Sequence, residues 1–141
     1  MVELLVTIMI MSMVLIFSGM HMSRILDRRA VQSGSVELMS AYQLAQDNAV
    51  NAIDRRDHGV QISGSNQYEL ISVATDGSTD VTRVFELPKI QNITGPSKVV
   101  FTRLDGRPDV TGVVTVQGKR YQVKVVIGNG GEISISPPTE I

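Results

Sequence analysis

The chain has 141 residues, with 13 Lys and Arg against 14 Asp and Glu. This length suits one small domain and excludes a large multidomain enzyme. The balanced charge excludes binding of nucleic acid or an anionic bilayer by a global basic field, so any such binding must be local. Cysteine is absent, which excludes disulfide scaffolds, thiolate metal sites and cysteine nucleophiles.

The first 22 residues are almost entirely apolar. Their only ionisable side chains are Glu3 and His21, and six of the seven methionines lie here. A run of this kind predicts a transmembrane helix, which needs roughly 20 apolar residues. A cleaved signal peptide is the alternative, but it would have a shorter apolar region, preceded by basic residues and followed by a small-residue cleavage site. We therefore predict that residues 1–23 form the transmembrane half of an N-terminal helix.

Residues 24–58 are predicted to continue this helix as an amphipathic half. Apolar or small side chains recur every three or four residues without an intervening proline, which is the spacing of one helix face. Gly34 is the weakest point, since Gly costs about 1 kcal/mol relative to Ala inside a helix, and Gly59 predicts the helix end. The residues predicted to pack this face on a sheet are Val31, Leu38, Tyr42, Ala45, Ala49 and Ala52.

Residues 59–141 are predicted to form an antiparallel β domain of about six or seven strands. Short runs rich in β-branched residues alternate here with turns that contain Gly, Asp or Asn. The predicted fold class is therefore α+β, with a long N-terminal helix whose second half packs on an antiparallel sheet. The predicted strands are 59–62, 68–73, 83–87, 98–104, 112–116, 119–127 and 132–136, and 87–97 is predicted to be an irregular connection.

Two loops carry carboxylates four residues apart, Asp76 with Asp80 and Asp105 with Asp109. Oxygen-donor calcium loops use this spacing, but they need more acidic ligands than either loop offers. Turn chemistry accounts for both loops, so Asp76 and Asp80 stand only as weak metal candidates. Neither histidine lies in a recognisable nucleophile setting, so the sequence predicts no catalytic residue, and it indicates no cofactor.

The N-terminal residues, MVELLVTI, resemble the start of type IV pilins and pseudopilins, whose mature chains typically begin FTLIELLV. Residues 44–50 and 100–106 further resemble minor pseudopilins of the GspH/FimT type. The resemblance implies a pilin-like fold without enzymatic activity. It also implies that Glu3 pairs with the free amine at the start of a neighbouring subunit inside a filament. From its position alone, Glu3 could instead reach the membrane interface.

The resemblance implies two functions. The first is a minor pseudopilin in a type II secretion or type IV pilus filament; the second is a pilus-tip or competence module that captures DNA or another ligand. The first implies other pilin-like subunits as partners through the N-terminal helix. It also implies single-pass insertion in the bacterial inner membrane before assembly, with the β domain periplasmic or extracellular. Residues 128–141 contain no Lys or Arg, which favours the filament subunit.

The position of Glu3 departs from the family pattern. Only two residues precede it, whereas in pilins four residues separate this glutamate from the glycine of the processing site. Either the gene begins further upstream, with a leader ending in Gly that a prepilin peptidase removes, or this chain is an odd member of the family that the peptidase does not cleave; we expect the first. The positive-inside rule disagrees with the expected orientation, because Arg24, Arg28 and Arg29 lie on the side of the apolar run that should face away from the cytoplasm. A basic leader at the other end would restore that orientation.

Overall fold

The computed structural model describes the backbone of residues 2–141 and the side chains of residues 3–15 and 22–141. One helix, α1 (Val2–Val50), is followed by a short 3-10 turn (Ile53–Arg55) and then by strands. At 1.5 Å per residue, α1 is about 73 Å long. The strands are β1 (Asp57–Ile62), β2 (Gln67–Val73), β3 (Thr79–Glu86), β4 (Asn92–Thr94), β5 (Lys98–Phe101), β6 (Gly112–Gln117), β7 (Tyr121–Ile127), β8 (Ile133–Ile135) and β9 (Thr139–Glu140).

The strands form two antiparallel sheets. The first has the order β3-β2-β1-β5, and the second has the order β4-β6-β7-β8, with β9 also paired to β7. Val60 lies opposite Leu70 on one side and Val99 on the other, which sets the register of the first sheet. In the second sheet Val116 lies opposite Val123. The predicted α+β class, a long helix on antiparallel sheet, is confirmed.

The second half of α1 packs against both sheets around one hydrophobic core. Small side chains such as Ala45 and Ala49 let the sheets approach the helix closely, and the ring of Tyr42 meets that of Phe101 edge-on at 6.5 Å. The buried helix residues of this core are Val31, Leu38, Ala41, Tyr42, Ala45 and Ala49, and its buried strand residues include Val60, Val99, Phe101, Val114, Val116, Val123, Val125 and Ile127.

The helix ends earlier than the sequence predicts, at Val50 instead of residue 57 or 58. The backbone N–H of Leu104 donates to the carbonyl oxygen of Ala49 at 3.0 Å, so a distant loop satisfies the last turn. Ala52 therefore does not belong to the helix face. It lies in the following turn with a φ of 51° and is only half-buried. Gly59, predicted to end the helix, lies within β1.

The strand pattern also differs from the prediction in places. β3 begins at Thr79, four residues before the predicted start. Two short strands, β4 and β9, were not predicted, and β4 falls in the supposed irregular connection. Strands of two or three residues are defined by the neighbour with which they pair, and no local periodicity marks them.

The predicted transmembrane half of α1 is not confirmed. Among the described residues, no stretch of helix has both the length and the apolar character that crossing a membrane requires. Met1 and the side chains of residues 2 and 16–21, which belong to that prediction, lie outside the described part of the chain.

Candidate functional site

The most distinctive surface of the protein is the first part of α1, residues 3–15, which we call the apolar rod. Its large apolar side chains have exposed fractions between 50 and 71%. Thirteen helical residues span about 20 Å. Continuous apolar surface of this size marks a contact with lipid or with other protein. The exposed side chains are Leu4, Leu5, Val6, Ile8, Met9, Ile10, Met11, Met13, Val14 and Leu15.

Polar groups on the apolar rod are few, and its hydroxyls are satisfied within the helix. The Thr7 hydroxyl donates to the carbonyl oxygen of Glu3 at 2.7 Å, and the Ser12 hydroxyl donates to that of Ile8 at 2.6 Å. Such bonds let hydroxyl residues sit in an apolar helix at little cost. The exposed Glu3 carboxylate has no cationic partner among the described residues. Glu3 is therefore the one charge on the apolar rod that is available to another molecule.

Asp27 fastens the middle of α1 to the second sheet. Its Oδ1 accepts the backbone N–H of Lys119 at 3.1 Å, and its Oδ2 accepts that of Arg120 at 2.8 Å. Both donors lie in the turn between β6 and β7. A carboxylate that accepts two backbone N–H groups holds the turn at a fixed height along the helix.

Gln46 makes a similar connection near the helix end. Its side-chain nitrogen donates to the carbonyl oxygens of Gly106 at 3.1 Å and Gly131 at 3.0 Å, which ties two loops to α1. The sequence places Asp27 and Gln46 on the solvent side of the helix, so both connections were missed. The turns that make these hydrogen bonds contain glycine and are recognisable in the sequence. The sequence around each turn does not indicate which helix residue it will contact.

Two tyrosines link the helix to the first sheet. Tyr42 is fully buried, and its hydroxyl has no hydrogen-bond partner among the described residues. Burial raises the pKa of Tyr42 well above its ordinary value. The Tyr68 hydroxyl donates to Glu37 at 3.3 Å, and its pKa is raised first by burial and then by the charge of Glu37. The Tyr68 ring also stacks on Phe85 at 5.0 Å.

The two weak metal candidates, Asp76 and Asp80, each have a hydrogen-bond partner within the fold. Asp76 accepts both the hydroxyl of Ser78 at 2.7 Å and its backbone N–H at 2.9 Å, and the hydroxyl bond is the main reason why the pKa of Asp76 is lowered. Asp80 is paired with Arg56, and this hydrogen bond raises the pKa of the guanidinium. Among the described residues no three potential metal ligands lie close together. Turn chemistry and an ion pair therefore account for Asp76 and Asp80.

The loop with Asp105 and Asp109, and the side chain of His58, also have partners within the fold. Asp105 pairs with Arg107 at 3.2 Å, and Asp109 accepts the backbone N–H of Val100 at 2.8 Å. His58 places Nε2 3.0 Å from the carbonyl oxygen of Ile53. These contacts fasten β1 and β5 to the loops beside them.

Open clefts lie beside and beyond α1. One, of about 370 Å³, lies beyond the helix end, where Arg103 donates from its backbone to Asp57 and from its guanidinium to the carbonyl oxygen of Arg55. Another, of about 280 Å³, is a groove between α1 and the connection from β3 to β4, and Arg29, Glu37 and Lys89 are among its lining residues. In the first cleft the side chains of Asp57 and Arg103 are therefore engaged in the fold.

A long N-terminal helix, packed by its second half on antiparallel sheet and exposed along residues 3–15, is the architecture of the pilin-like class. The comparison with solved structures agrees. The chain is similar to the minor pseudopilin EpsH from the type 2 secretion system of Vibrio cholerae, with a TM-score of 0.60 over 76% of this chain and 96% of that one. The two sequences are 12% identical, so the likeness is one of fold. No family model and no curated protein matches the sequence. The pseudopilin fold that the N-terminal residues predicted is confirmed.

Proposed function

We propose that this protein is a structural subunit of a pilin-like filament in the bacterial envelope, of the minor pseudopilin kind. The observation that carries the proposal is the apolar rod, which extends from a fully packed β domain and is exposed along its length. Such a surface must be covered in the cell. In this proposal it enters the inner membrane first and then packs against the helices of other subunits in the filament.

The chemistry of the β domain supports a structural role over a catalytic one. The carboxylates of Asp27, Asp76 and Asp80 all have partners within the fold. His58 is held against a backbone carbonyl. An acid, base or nucleophile needs to be free to act on a substrate and to have a suitable pKa. Asp76 and Asp80 are exposed, but each of the groups named here is bound to a neighbour in the fold.

Within the filament, Glu3 would supply the charge that sets the position of each subunit. A lone carboxylate inside a bundle of apolar helices is costly, on the order of several kcal/mol, unless a cation accompanies it. The free amine at the start of a neighbouring subunit is such a cation. Pairing the two would neutralise both charges and favour one axial offset between adjacent helices.

Processing by a prepilin peptidase belongs to the same proposal. The amine that would meet Glu3 would be created by removal of a leader. With its basic residues on the cytoplasmic side, the helix would insert with the β domain outside the cytoplasm. Mass spectrometry of the purified native protein tests this expectation, since a processed chain begins after the leader.

The alternative, capture of DNA by the β domain, receives less support from the structure. Arg56 is paired with Asp80, and Arg107 with Asp105. Lys119 and Arg120 lie beside Asp27, in the middle of α1. Two of these four cations are therefore paired with carboxylates, which leaves less positive charge for a nucleic acid backbone.

The experiment that tests the proposal is replacement of Glu3 in the native organism. Glu3→Ala should leave insertion and folding intact but lower the recovery of the protein with its partner subunits, since an unpaired amine would remain in the filament. Glu3→Gln, which keeps the shape and removes the charge, should behave in the same way. Glu140→Ala, an exposed carboxylate outside α1, is the matched control. Recovery of both Glu3 variants at the unmutated level would overturn the pairing.

A further inference from the structure

Six basic side chains lie around α1 where it enters the β domain, and we call them the basic collar. Three come from the helix and three from loops that the fold brings close to this part of it. All six are exposed, and they make up almost half of the 13 basic residues in the chain. The members are Arg24, Arg28, Arg29, Lys89, Lys119 and Arg120.

Two sets of contacts place the loop residues near this part of the helix. The backbone N–H groups of Lys119 and Arg120 are bound to the carboxylate of Asp27, which lies between the collar positions of the helix. Lys89, from the connection between β3 and β4, lines one groove together with Arg29. The collar is therefore a product of tertiary structure.

The collar extends around the helix instead of following one side of it. Successive helix residues are about 100° apart around the axis, so Arg28 lies roughly 40° from Arg24 and Arg29 roughly 140° from it. The turn that carries Lys119 and Arg120 lies on the side of Asp27, roughly 60° from Arg24 in the opposite sense. These positions span about 200°, a little more than half of the circumference.

The collar has a net positive charge although the whole chain does not. Three carboxylates lie near it. Asp27 is occupied by backbone N–H groups, Glu37 accepts the Tyr68 hydroxyl, and Glu140 lies opposite Tyr121, next to Arg120. Six cations and three carboxylates leave a charge of +3, while the rest of the chain has seven basic and eleven acidic residues. Among the described residues, no collar cation forms an ion pair.

Exposed apolar side chains occur at the same height. Met22, Ile25 and Leu26 have exposed fractions of 60, 49 and 49%. Apolar and basic side chains that alternate at the end of an apolar helix are typical of the membrane interface, where the stems contact acyl chains and the charges reach the headgroups.

We propose that the basic collar binds the headgroups of anionic phospholipids where the apolar rod enters the bilayer. Its distance from the rod is suitable, since Arg24 lies nine residues, or about 14 Å, beyond Leu15. Each Lys or Arg near an anionic membrane surface strengthens binding about fivefold. The inference rests on the part of the proposed function that puts the rod into a membrane, but it does not depend on filament assembly.

A vesicle partition experiment with the full chain tests the collar. The chain is diluted from detergent onto vesicles of phosphatidylcholine alone, or onto vesicles with about three parts phosphatidylglycerol to seven parts phosphatidylcholine. The unmodified protein should prefer the anionic vesicles, and high salt should abolish the preference. A triple variant of the loop residues, Lys89→Gln, Lys119→Gln and Arg120→Gln, should bind the anionic vesicles roughly a hundredfold more weakly. Its binding to neutral vesicles should not change.

The matched control is a triple variant with the same change of charge outside the collar, Arg55→Gln, Arg83→Gln and Arg107→Gln. It should keep most of the preference for anionic lipid. If both triple variants lost the same amount of binding to anionic vesicles, the effect would be one of total charge, and the proposal that the collar binds the headgroups would be overturned. Far-UV circular dichroism of both variants checks that they remain folded. The collar substitutions leave intact the backbone N–H groups that bind Asp27, so the fold should persist.

Other outcomes separate the collar from the proposed function. Equal binding of the unmodified protein to both vesicle types overturns the collar but leaves insertion of the apolar rod standing. Failure to bind either vesicle type overturns both the collar and the membrane step of the proposed function. A duplex DNA that competes with the anionic vesicles, and binds more weakly to the collar variant alone, would assign the collar to nucleic acid and overturn the lipid proposal.

Discussion

Replacement of Gly34 by alanine tests how closely α1 lies against the β domain. Gly34 is buried, and α1 continues through it without a break. An alanine at a free helix position would stabilise the protein by about 1 kcal/mol, through helix propensity and a less flexible unfolded chain. Here we expect the free energy of unfolding to change by less than about 0.5 kcal/mol, because close contacts offset that gain.

The size of the offset follows from the neighbours of the new methyl group. It would lie 3.2 Å from Cγ1 and 3.4 Å from Cδ1 of Ile90, and 3.6 Å from Cδ1 of Leu87. Carbon atoms pack best at about 3.5–4.0 Å, so only the first contact requires Ile90 to move, by a few tenths of an ångström. Overpacking of a core costs about 1–3 kcal/mol, and a displacement this small belongs at the lower end.

Urea unfolding of the full chain in detergent, followed by circular dichroism, measures the change. Ser33→Ala, at an exposed position in the same turn, is the control and should stabilise the protein by about 0.5 kcal/mol. Gly34→Leu should destabilise it by more than about 2 kcal/mol. Gly34→Ala in an Ile90→Ala background should recover the propensity gain relative to Ile90→Ala alone, since the Cγ1 atom that makes the 3.2 Å contact is gone.

Full stabilisation by Gly34→Ala, equal to about 1 kcal/mol, would refute the close packing of α1 on the connection between β3 and β4. A loss of more than about 2 kcal/mol would show that Ile90 cannot move at all, and would refute the expected balance between helix propensity and overpacking.

Three further substitutions test individual contacts. Tyr42→Phe should raise the free energy of unfolding by about 1 kcal/mol, since it removes a buried hydroxyl without a partner; a loss of stability in urea would reveal an internal partner. Ser78→Ala should raise the pKa of Asp76 towards its ordinary value, measured by NMR titration, because the lowered pKa comes mainly from the Ser78 hydroxyl. The bonds to the ionised Asp76 contribute stability above its ordinary pKa, and that contribution disappears as pH falls through the lowered pKa. Asp27→Ala should destabilise the protein by about 1–3 kcal/mol and speed amide exchange in the turn that it holds, whereas unchanged exchange would show that the turn stands alone.

Periodicity identified the elements that repeat a pattern over many residues. The spacing of apolar residues from Val31 to Ala49 describes a helix face that is buried in the structure. The alternation from Tyr121 to Ile127 likewise matches a strand with one buried side. In both cases one side of the element meets the core along its whole length, so the spacing of apolar residues in the sequence shows which side is buried.

Features that depend on a distant partner were not visible in the sequence. At the end of the helix, the carbonyl oxygen of Ala49 accepts a hydrogen bond from the backbone N–H of Leu104. No residue near Val50 indicates in the sequence that the helix ends there. The contacts of Asp27 and Gln46 with loops far along the chain depend on tertiary structure in the same way. The N-terminal motif was informative for a different reason, because its consecutive residues resemble those of a family whose fold this chain shares.

In the proposed filament, the apolar rod packs against the helices of other pilin-like subunits. The absence of cysteine allows a direct measurement, since a single introduced cysteine has no competitor within the chain. We would place one in the rod, Met11→Cys, and a control on the exposed edge strand, Thr79→Cys. The native organism would carry matched cysteines in the N-terminal helices of its other pilin-like subunits. After oxidation in intact cells, Met11→Cys should form disulfides with those helices and Thr79→Cys should not. A Met11→Cys protein that stays uncrosslinked, or links only to proteins unrelated to pilins, would contradict the claim.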